Sequence, residues 1–499
     1  MSLINITNLT FSYEGSYDNI FENVSFQIDT DWKLGFSGRN GRGKTTFLNL
    51  LLGKHEYTGN ISAAVNFQYF PHYIPDKTKS TNEIIQKIAP TSHDWEIVRE
   101  LSLLDMTDSV LMRPFNTLSN GEQTKVLLAS LFLCEQNFLL IDEPTNHLDI
   151  NGRVVMSRYL NNKSGYILVS HDRAFLDGCV DHILSINRAD IEVQRGNFSS
   201  WLMNKERQDS FELAENDKLR KDIKRLKNAA RQSADWADKV ESTKMGKGAA
   251  AARKKGHAGI GSKEYNAEQS RRMQQRRKNL ERRQQTSIEE KSRLLKNIER
   301  SDSLKITQLI YHKPRLLSLS DISISYGDMT VCKNVSFSIE QGDRFALQGK
   351  NGSGKSSILK LICGEDISFS GDLTIGAGLR LSYVSQDTSD LKGDLKDYAL
   401  QHDIDESLFK AILRKLDFSR IQFEKDINDF SGGQKKKVLI AKSLCEKAHL
   451  LVWDEPLNFI DVLSRMQIEN LLLEYKPTIL FVEHDSVFNK KISTKTVIL

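Results

Sequence analysis

Gly38-Arg-Asn-Gly-Arg-Gly-Lys44-Thr45 is a glycine-rich turn that runs into a helix-like stretch, Thr45–Leu52. The arrangement returns 311 residues later as Gly349-Lys-Asn-Gly-Ser-Gly-Lys355-Ser356, ahead of Ser356–Ile362. The spacing G-x-x-x-x-G-K-[ST] serves a physical purpose. Glycines let successive backbone N–H groups converge on phosphate oxygens, the lysine places charge at the β- and γ-phosphates, and the hydroxyl takes Mg²⁺. The positive end of the following helix favours the anion further. Gly38, Asn40, Gly41, Gly43, Lys44, Thr45 and Thr46 are thus one candidate phosphate site. Gly349, Asn351, Gly352, Gly354, Lys355, Ser356 and Ser357 are a second.

Three more motifs repeat in the same order. Leu118-Ser-Asn-Gly-Glu-Gln123 returns as Phe430-Ser-Gly-Gly-Gln-Lys435, and Phe138-Leu-Leu-Ile-Asp-Glu143 as Leu450-Leu-Val-Trp-Asp-Glu455, both at an offset of 312. Val169-Ser-His171-Asp172 returns as Val482-Glu-His484-Asp485 at 313. Such constancy marks two like halves, 1–200 and 313–499, around a spacer, 201–312. Each half opens on strand-like alternation: Leu3–Phe11 and Val24–Ile28, then Leu317–Ile324 and Val335–Ile339. Short apolar runs follow at Phe138–Ile141, Tyr166–Val169, Leu450–Trp453 and Thr478–Val482, of the length and composition of buried parallel strands. Strands alternating with helices predict an α/β fold with mainly parallel sheets.

In each half an apolar strand ends in Asp-Glu. Asp142 and Asp454 are placed to hold Mg²⁺, directly or through water. Glu143 and Glu455, one residue on, reach towards the γ-phosphate, where a carboxylate can orient or polarise an attacking water. His171 and His484 follow the next strand at matched positions and could steady that phosphate and water.

Ser119-Asn-Gly-Glu-Gln123 and Ser431-Gly-Gly-Gln434 resemble the signature motif of ATP-binding-cassette ATPases, a resemblance that covers about 390 residues in two copies. It implies two P-loop ATPase domains that pair head to tail within one monomer. ATP would lie between the phosphate loop of one and the signature serine of the other. Site one would join Lys44, Thr45, Asp142, Glu143 and His171 with Ser431 and Gly433. Site two would join Lys355, Ser356, Asp454, Glu455 and His484 with Ser119 and Gly121. Tyr13 and Tyr326, 25 and 23 residues ahead of their loops, stand where the family stacks an aromatic on adenine. Gln386, in Tyr383-Val-Ser-Gln386, fits the family's glutamine ligand to Mg²⁺, but Tyr69-Phe-Pro-His72 carries His72 there. Histidine is a poorer partner for Mg²⁺ and water than an amide oxygen. Pro144-Thr-Asn-His-Leu-Asp149 and Pro456-Leu-Asn-Phe-Ile-Asp461 also differ, so the two sites are expected to be inequivalent.

The spacer is the charge anomaly of the chain. Met203–Lys305 holds 28 Lys+Arg against 16 Asp+Glu, a net +12 in a chain of +5, which leaves −7 for the rest. Leu219, Ile223, Leu226, Ala230, Ser233, Ala237 and Val240 fall at alternating four- and three-residue steps, a coiled-coil seam. Met273, Leu280, Ile288, Leu295 and Ile298 match more loosely. Two helices of about 40 residues, each about 60 Å long, are expected to form an antiparallel hairpin. Lys244–Lys263, with six Lys+Arg, no acid and five glycines, would be its tip. Lysine and arginine on phosphate are the main sequence-independent source of nucleic-acid affinity. The tip cations Lys244, Lys247, Arg253, Lys254 and Lys255, with His257, are thus candidate RNA contacts, and Arg271, Arg272, Arg276, Arg277, Lys278, Arg282 and Arg283 form a second basic stretch.

Twin cassettes, a charged helical spacer and Asp142-Glu-Pro-Thr-Asn-His-Leu-Asp149 together resemble the ABC-F family of ribosome-associated ATPases. The resemblance implies binding of the ATP-closed form at the tRNA exit site, with the hairpin near P-site tRNA, 23S rRNA and the peptidyl-transferase centre, in the bacterial cytoplasm. The long spacer and Glu455-Pro-Leu-Asn-Phe-Ile-Asp461 look like the Lsa/Vga-type resistance members, which protect ribosomes from lincosamides, pleuromutilins and streptogramin A. The spacings His72 to Ser119 and Gln386 to Ser431 are similar, which leaves no room for the arm that housekeeping members carry. A housekeeping translation factor and the ATPase subunit of a membrane transporter are the competing readings. The sequence has no 18-residue apolar stretch and no signal-peptide pattern, which argues for a soluble protein. Five scattered cysteines without a C-x-x-C pair argue against a zinc or iron–sulfur site and against related DNA-repair ATPases.

Overall fold

In the computed structural model of the chain, the described residues are 2–13, 19–134, 137–146, 148–187, 190–251, 282, 308–327 and 329–499. They divide into two units, Met1–Trp201 with Ser303–Leu499, and Leu202–Asp302.

The first half contributes β1 (Leu3–Phe11), β2 (Phe21–Asp29), β3 (Lys33–Ser37), β4 (Thr58–Ser62), β5 (Asn66–Phe70), β6 (Asn137–Asp142), β7 (Tyr166–Val169), β8 (His182–Asn187) and β9 (Asp190–Arg195). The second contributes β10 (Arg315–Tyr326), β11 (Met329–Glu340), β12 (Arg344–Gln348), β13 (Phe369–Ile375), β14 (Leu381–Val384), β15 (Leu450–Asp454), β16 (Ile479–Val482) and β17 (Lys495–Ile498). Each half has an antiparallel three-stranded sheet, β2-β1-β4 or β11-β10-β13. Each also has a larger sheet, β5-β6-β7-β3-β8-β9 or β14-β15-β16-β12-β17. The larger sheets are parallel except where β9 runs against β8. Their central strands read as unbroken apolar runs because both faces are covered: Phe138–Ile141, Tyr166–Val169, Leu450–Trp453 and Ile479–Val482 are all buried. The phosphate loops follow β3 and β12, at the carboxyl ends of the parallel strands, where ligands of open α/β sheets bind.

The second cassette takes in residues ahead of 313. Gln308 donates to the carbonyl oxygens of His449 and Thr478, both at 3.0 Å, and accepts from the Thr478 N–H at 2.7 Å. Tyr311 is buried, with its hydroxyl donating to Ala377 O at 3.0 Å. A polar Gln and an aromatic next to a basic run give no periodicity, so this packing was not legible as part of the domain.

One helix, Phe198–Ala251, runs 54 residues from the end of the first unit's Met1–Trp201 segment into the second unit. Its start is fixed within the first cassette's unit: Ser199 N donates to Asp177 Oδ1 at 2.7 Å, and the rings of Phe198 and Trp201 lie 5.3 Å apart, both buried. Ile223 is buried and Leu219 half-buried, while Phe211 is exposed. The side chains of Leu226, Ala230, Ser233, Ala237 and Val240 lie outside the described residues. At the start of the run expected as the hairpin tip, Lys244–Lys263, the helix carries on through Gly246 and Gly248 to Ala251, and 252–263 lie outside the described residues. Ala249–Ala251 follow directly, and alanine, the best helix former, offsets a glycine cost of about 1 kcal/mol each. Arg253, Lys254, Lys255, His257 and the returning basic stretch, Arg282 apart, lie outside the described residues, as do the side chains of Lys244 and Lys247.

Candidate active sites

The two phosphate loops owe their shape to glycine. Gly41, Gly43, Gly352 and Gly354 have φ of +78°, +92°, +80° and +86°, a region other residues enter only at a cost. A Cβ on Gly43 would also lie 2.5 Å from Ile20 Cγ2. The helices that follow, Lys44–Leu51 and Lys355–Ile362, have no side-chain cap and no acid in the first turn. Their leading N–H groups are therefore aimed at the loop for an anion to accept. Lys44 Nζ donates to Gly38 O at 2.7 Å and Asn40 Oδ1 at 3.2 Å, and Lys355 Nζ to Gly349 O at 2.9 Å and Lys350 O at 2.8 Å. Burial pushes both ammonium groups down in pKa. The carboxylates Asp461, Glu143 and Asp142 pull Lys44 back up, and Glu455, Asp454 and Asp149 do so for Lys355. Thus each loop lysine feels a charge from the other cassette, Asp461 or Asp149. The Tyr13 hydroxyl pairs with Thr46 Oγ1 at 2.9 Å and Tyr326 donates to Ser357 Oγ at 3.2 Å, leaving both rings exposed beside their loops.

The Asp-Glu pairs sit where β6 and β15 end. Glu143 and Glu455 have φ of +49° and +46°, and each is pinned by its own N–H, donating to Val169 O at 2.9 Å or Val482 O at 3.0 Å. Non-glycine residues in this region cost about 1–3 kcal/mol and persist where the surroundings over-determine them. Tyr69 donates to Asp142 Oδ2 at 2.9 Å and Thr45 does so at 3.4 Å. Asp454 is buried with Oδ1 unpartnered. Burial pushes both aspartates up in pKa. A buried carboxylate oxygen without a donor, beside a loop hydroxyl, fits a hard cation that keeps several waters, as Mg²⁺ does. Among the described residues there is no cluster of three His, Cys, Asp or Glu side chains of the kind zinc would take.

The two glutamates differ. Glu455 Oε2 accepts from Gln386 Nε2 at 2.9 Å and Asn458 Nδ2 at 2.6 Å, and Oε1 lies 3.3 Å from His484 Nε2. Burial raises its pKa, but hydrogen bonds from His484 and Asn458 outweigh it and hold the carboxyl below the usual range. Glu143 Oε1 has no hydrogen-bond partner, and His171 Nε2 stands 3.4 Å away. Burial, then the charge of Asp142, pushes Glu143 up to about 8. Burial also holds His171 well below the usual histidine range, so the ring is neutral. His72 is exposed and makes no counterpart to the Gln386 bond.

Across the cassettes, a cavity of about 550 Å³ is lined by Tyr13, Lys44, Thr45, Asp142, Glu143 and His171 from the first and by Ser431 and Gly433 from the second. Ser431 caps the helix Gly432–Cys445, its Oγ accepting from Gln434 N at 3.3 Å. Ser119 caps Asn120–Phe132 in the same way, but its hydroxyl donates to the Glu122 carboxylate at 2.9 Å. Sequence reasoning placed Asn40 in the phosphate site but missed its partner, since Asn40 Nδ2 donates to Phe459 O at 2.7 Å; it also missed the pairing of Arg39 with Asp417, and Phe418 and Gln422, which line the same cavity. Arg173 forms a buried ion pair with Glu469, beside Asp485 and Lys491. Arg39 and Asn40 are legible as residues of the phosphate loop itself. The others depend on which surfaces meet.

The ABC transporter domain matches residues 21–146 and 332–458. The chain is 28% identical to the ribosome protection protein VmlR of Bacillus subtilis (strain 168), over 100% of this chain and 86% of that one. It is 28% identical to the ATP-binding protein Uup of Buchnera aphidicola, over 99% and 80%. Among solved structures it resembles archaeal ribosome recycling factor aABCE1, crystallised with the stalk protein aP1, at a TM-score of 0.62 and 20% identity over 98% of this chain and 87% of that one. Among the described residues no helix is long and apolar enough to cross a membrane. With the domain matched twice and relatives that align over nearly the whole chain, the chain belongs to the ABC transporter family, as an ATPase of the ABC-F type.

Proposed function

We propose that this ATPase works on the bacterial ribosome, closing on ATP to dock its basic spacer on RNA near the tRNA exit site and the peptidyl-transferase centre. The observation that carries the reading is full-length similarity to a ribosome protection protein, joined to a spacer of net +12 between acidic cassettes. Docked there, the spacer dislodges or excludes drugs of the lincosamide, pleuromutilin and streptogramin A type, and hydrolysis releases the protein.

In each site the loop lysine and the helix N–H groups hold the β- and γ-phosphates. Ser431 with Gly433, or Ser119 with Gly121, closes over them from the other cassette. Bound Mg²⁺ neutralises charge on the phosphate oxygens; Thr45 with Asp142, and Ser356 with Asp454 and Gln386, would hold it. Glu143 or Glu455 orients water and accepts its proton as the water oxygen bonds to the γ-phosphorus and the bond to the β-phosphate oxygen breaks, giving ADP and phosphate. His171 and His484 hold the glutamates and the γ-phosphate in register.

The test is to replace both glutamates (E143Q, E455Q), add ATP and sediment cell extract. The variant is expected to pellet with ribosomes; recovery with membranes instead sinks the reading in favour of a transporter subunit. Deleting 244–261 should abolish drug protection while ATPase activity stays measurable. A housekeeping translation factor is the second reading, since a relative matched at the same 28% is described as an ATP-binding protein with no protection role in its name. Unchanged drug susceptibility on expression would favour it.

A further inference from the structure

Lys436 is a long cation with about 1% of its surface exposed, in a helix whose N-terminus faces site one. Its Nζ donates to Ser385 O at 2.8 Å. Ser385 directly precedes Gln386, whose amide donates to Glu455 Oε2. The charges of Asp454, Glu483, Glu455 and Asp387, all of the second cassette, favour its ammonium form from nearby. Burying an ammonium is costly unless it is paired and hydrogen-bonded, so the site is built around this contact. Five residues back along the same helix stands Ser431, which lines the site-one cavity. Five residues of helix rise about 7.5 Å.

The first cassette lacks the device. The position 312 residues earlier is Thr124, whose hydroxyl donates to Asn120 O of its own helix at 2.9 Å. The residue matching Ser385 is Pro71, and that matching Gln386 is His72.

We propose that Lys436 is a positioning residue that couples the two nucleotide sites in one direction, fixing the Gln386 segment of site two to the helix whose capping serine reads site one. Occupancy of site one then sets the Gln386–Glu455 hydrogen bond through a single rigid helix. The inference rests on the reading that Glu455 serves hydrolysis at site two.

The experiment compares K436M, which keeps length and loses the donor, in the E143Q and E455Q backgrounds by single-turnover ATP hydrolysis. In E143Q protein, where site two alone turns over, K436M is expected to lower kcat about tenfold with KM for ATP within twofold, and K436R to recover at least half of the loss. In E455Q protein the loss is smaller, about twofold. Equal losses in the two backgrounds, or no loss in E143Q, overturn the proposal. Should K436M fail to fold by circular dichroism, K436Q is read by the same criteria. If E143Q protein with Lys436 intact hydrolyses nothing, the assignment of site two falls, and the coupling with it.

Discussion

Glu143 and Glu455 end matched strands in the same left-handed backbone conformation, yet they are held in opposite ways. Glu455 accepts from Gln386 and Asn458 with His484 alongside, and its carboxyl is held below the usual range. Glu143 has an unpartnered oxygen, and burial pushes it up to about 8. The motif therefore places the carboxylate, and residues outside it set its charge. On our reading of Glu455 as the base of site two, a carboxylate fixed by donors is ionised and oriented before substrate arrives. The serines that close the sites differ too. Ser431 caps its helix alongside a neutral Gln434, whereas Ser119 gives its hydroxyl to the Glu122 carboxylate.

The two sites should differ most at their glutamates. E455Q is expected to cut steady-state ATP turnover about 10³-fold, within the range for removal of a general base, whereas E143Q costs less than tenfold. A reversed order would refute the ranking of the sites. The next effect concerns the interface. Arg173 and Glu469 form their buried pair on one side only, since the positions 312 to 313 residues away carry Ser157 and Ser486. R173M should lower unfolding stability by about 3–5 kcal/mol, as removal of one partner of a buried pair does, while S486A should change it little in the same denaturant titration. The sign of the pH effect follows. Burial raises the Asp485 carboxyl, but Arg465 and Arg173 hold it below the usual range. It therefore contributes stability above the unfolded aspartate pKa, lost as pH falls through the folded value. R173M should accordingly unfold at higher pH in an acid titration.

A smaller difference lies in the cores. Buried Glu100 accepts from Tyr159 and from Lys163, both at 2.6 Å, where the matched positions of the second cassette are Ile412 and Leu471, buried and apolar, with Tyr475 in place of Lys163. E100Q should cost about 1–3 kcal/mol, the range for breaking a buried hydrogen-bonded group, while I412V should cost about 1 kcal/mol, both read from denaturant midpoints. The smallest effect is a gain. H72Q in an E455Q background should raise site-one hydrolysis about threefold by supplying the amide that Gln386 supplies at site two. No gain would mean that the segment's path, rather than its side chain, sets the difference.

The fold was largely legible. β1 spans Leu3–Phe11 and β7 Tyr166–Val169, as the alternation and the apolar run predict. The loop glycines were equally plain, since only their spacing cradles phosphate. Residues that enter a site from the other cassette were not. Phe459 reaches Asn40 through a backbone carbonyl, which no side-chain pattern encodes. Asp417, two residues past the helix Glu406–Lys415, carries no motif and gains its place only where Arg39 pairs with it. Lys436 lies in Lys435-Lys-Lys437, a run that looks like solvated charge, yet it and Lys437 are buried.

The helix Phe198–Ala251 has a mechanical consequence. At 1.5 Å per residue its 54 residues span about 80 Å. Its first turn is clamped by Asp177 and two buried aromatics. By geometry alone, a tilt of one degree at its first turn corresponds to about 1.4 Å at Ala251.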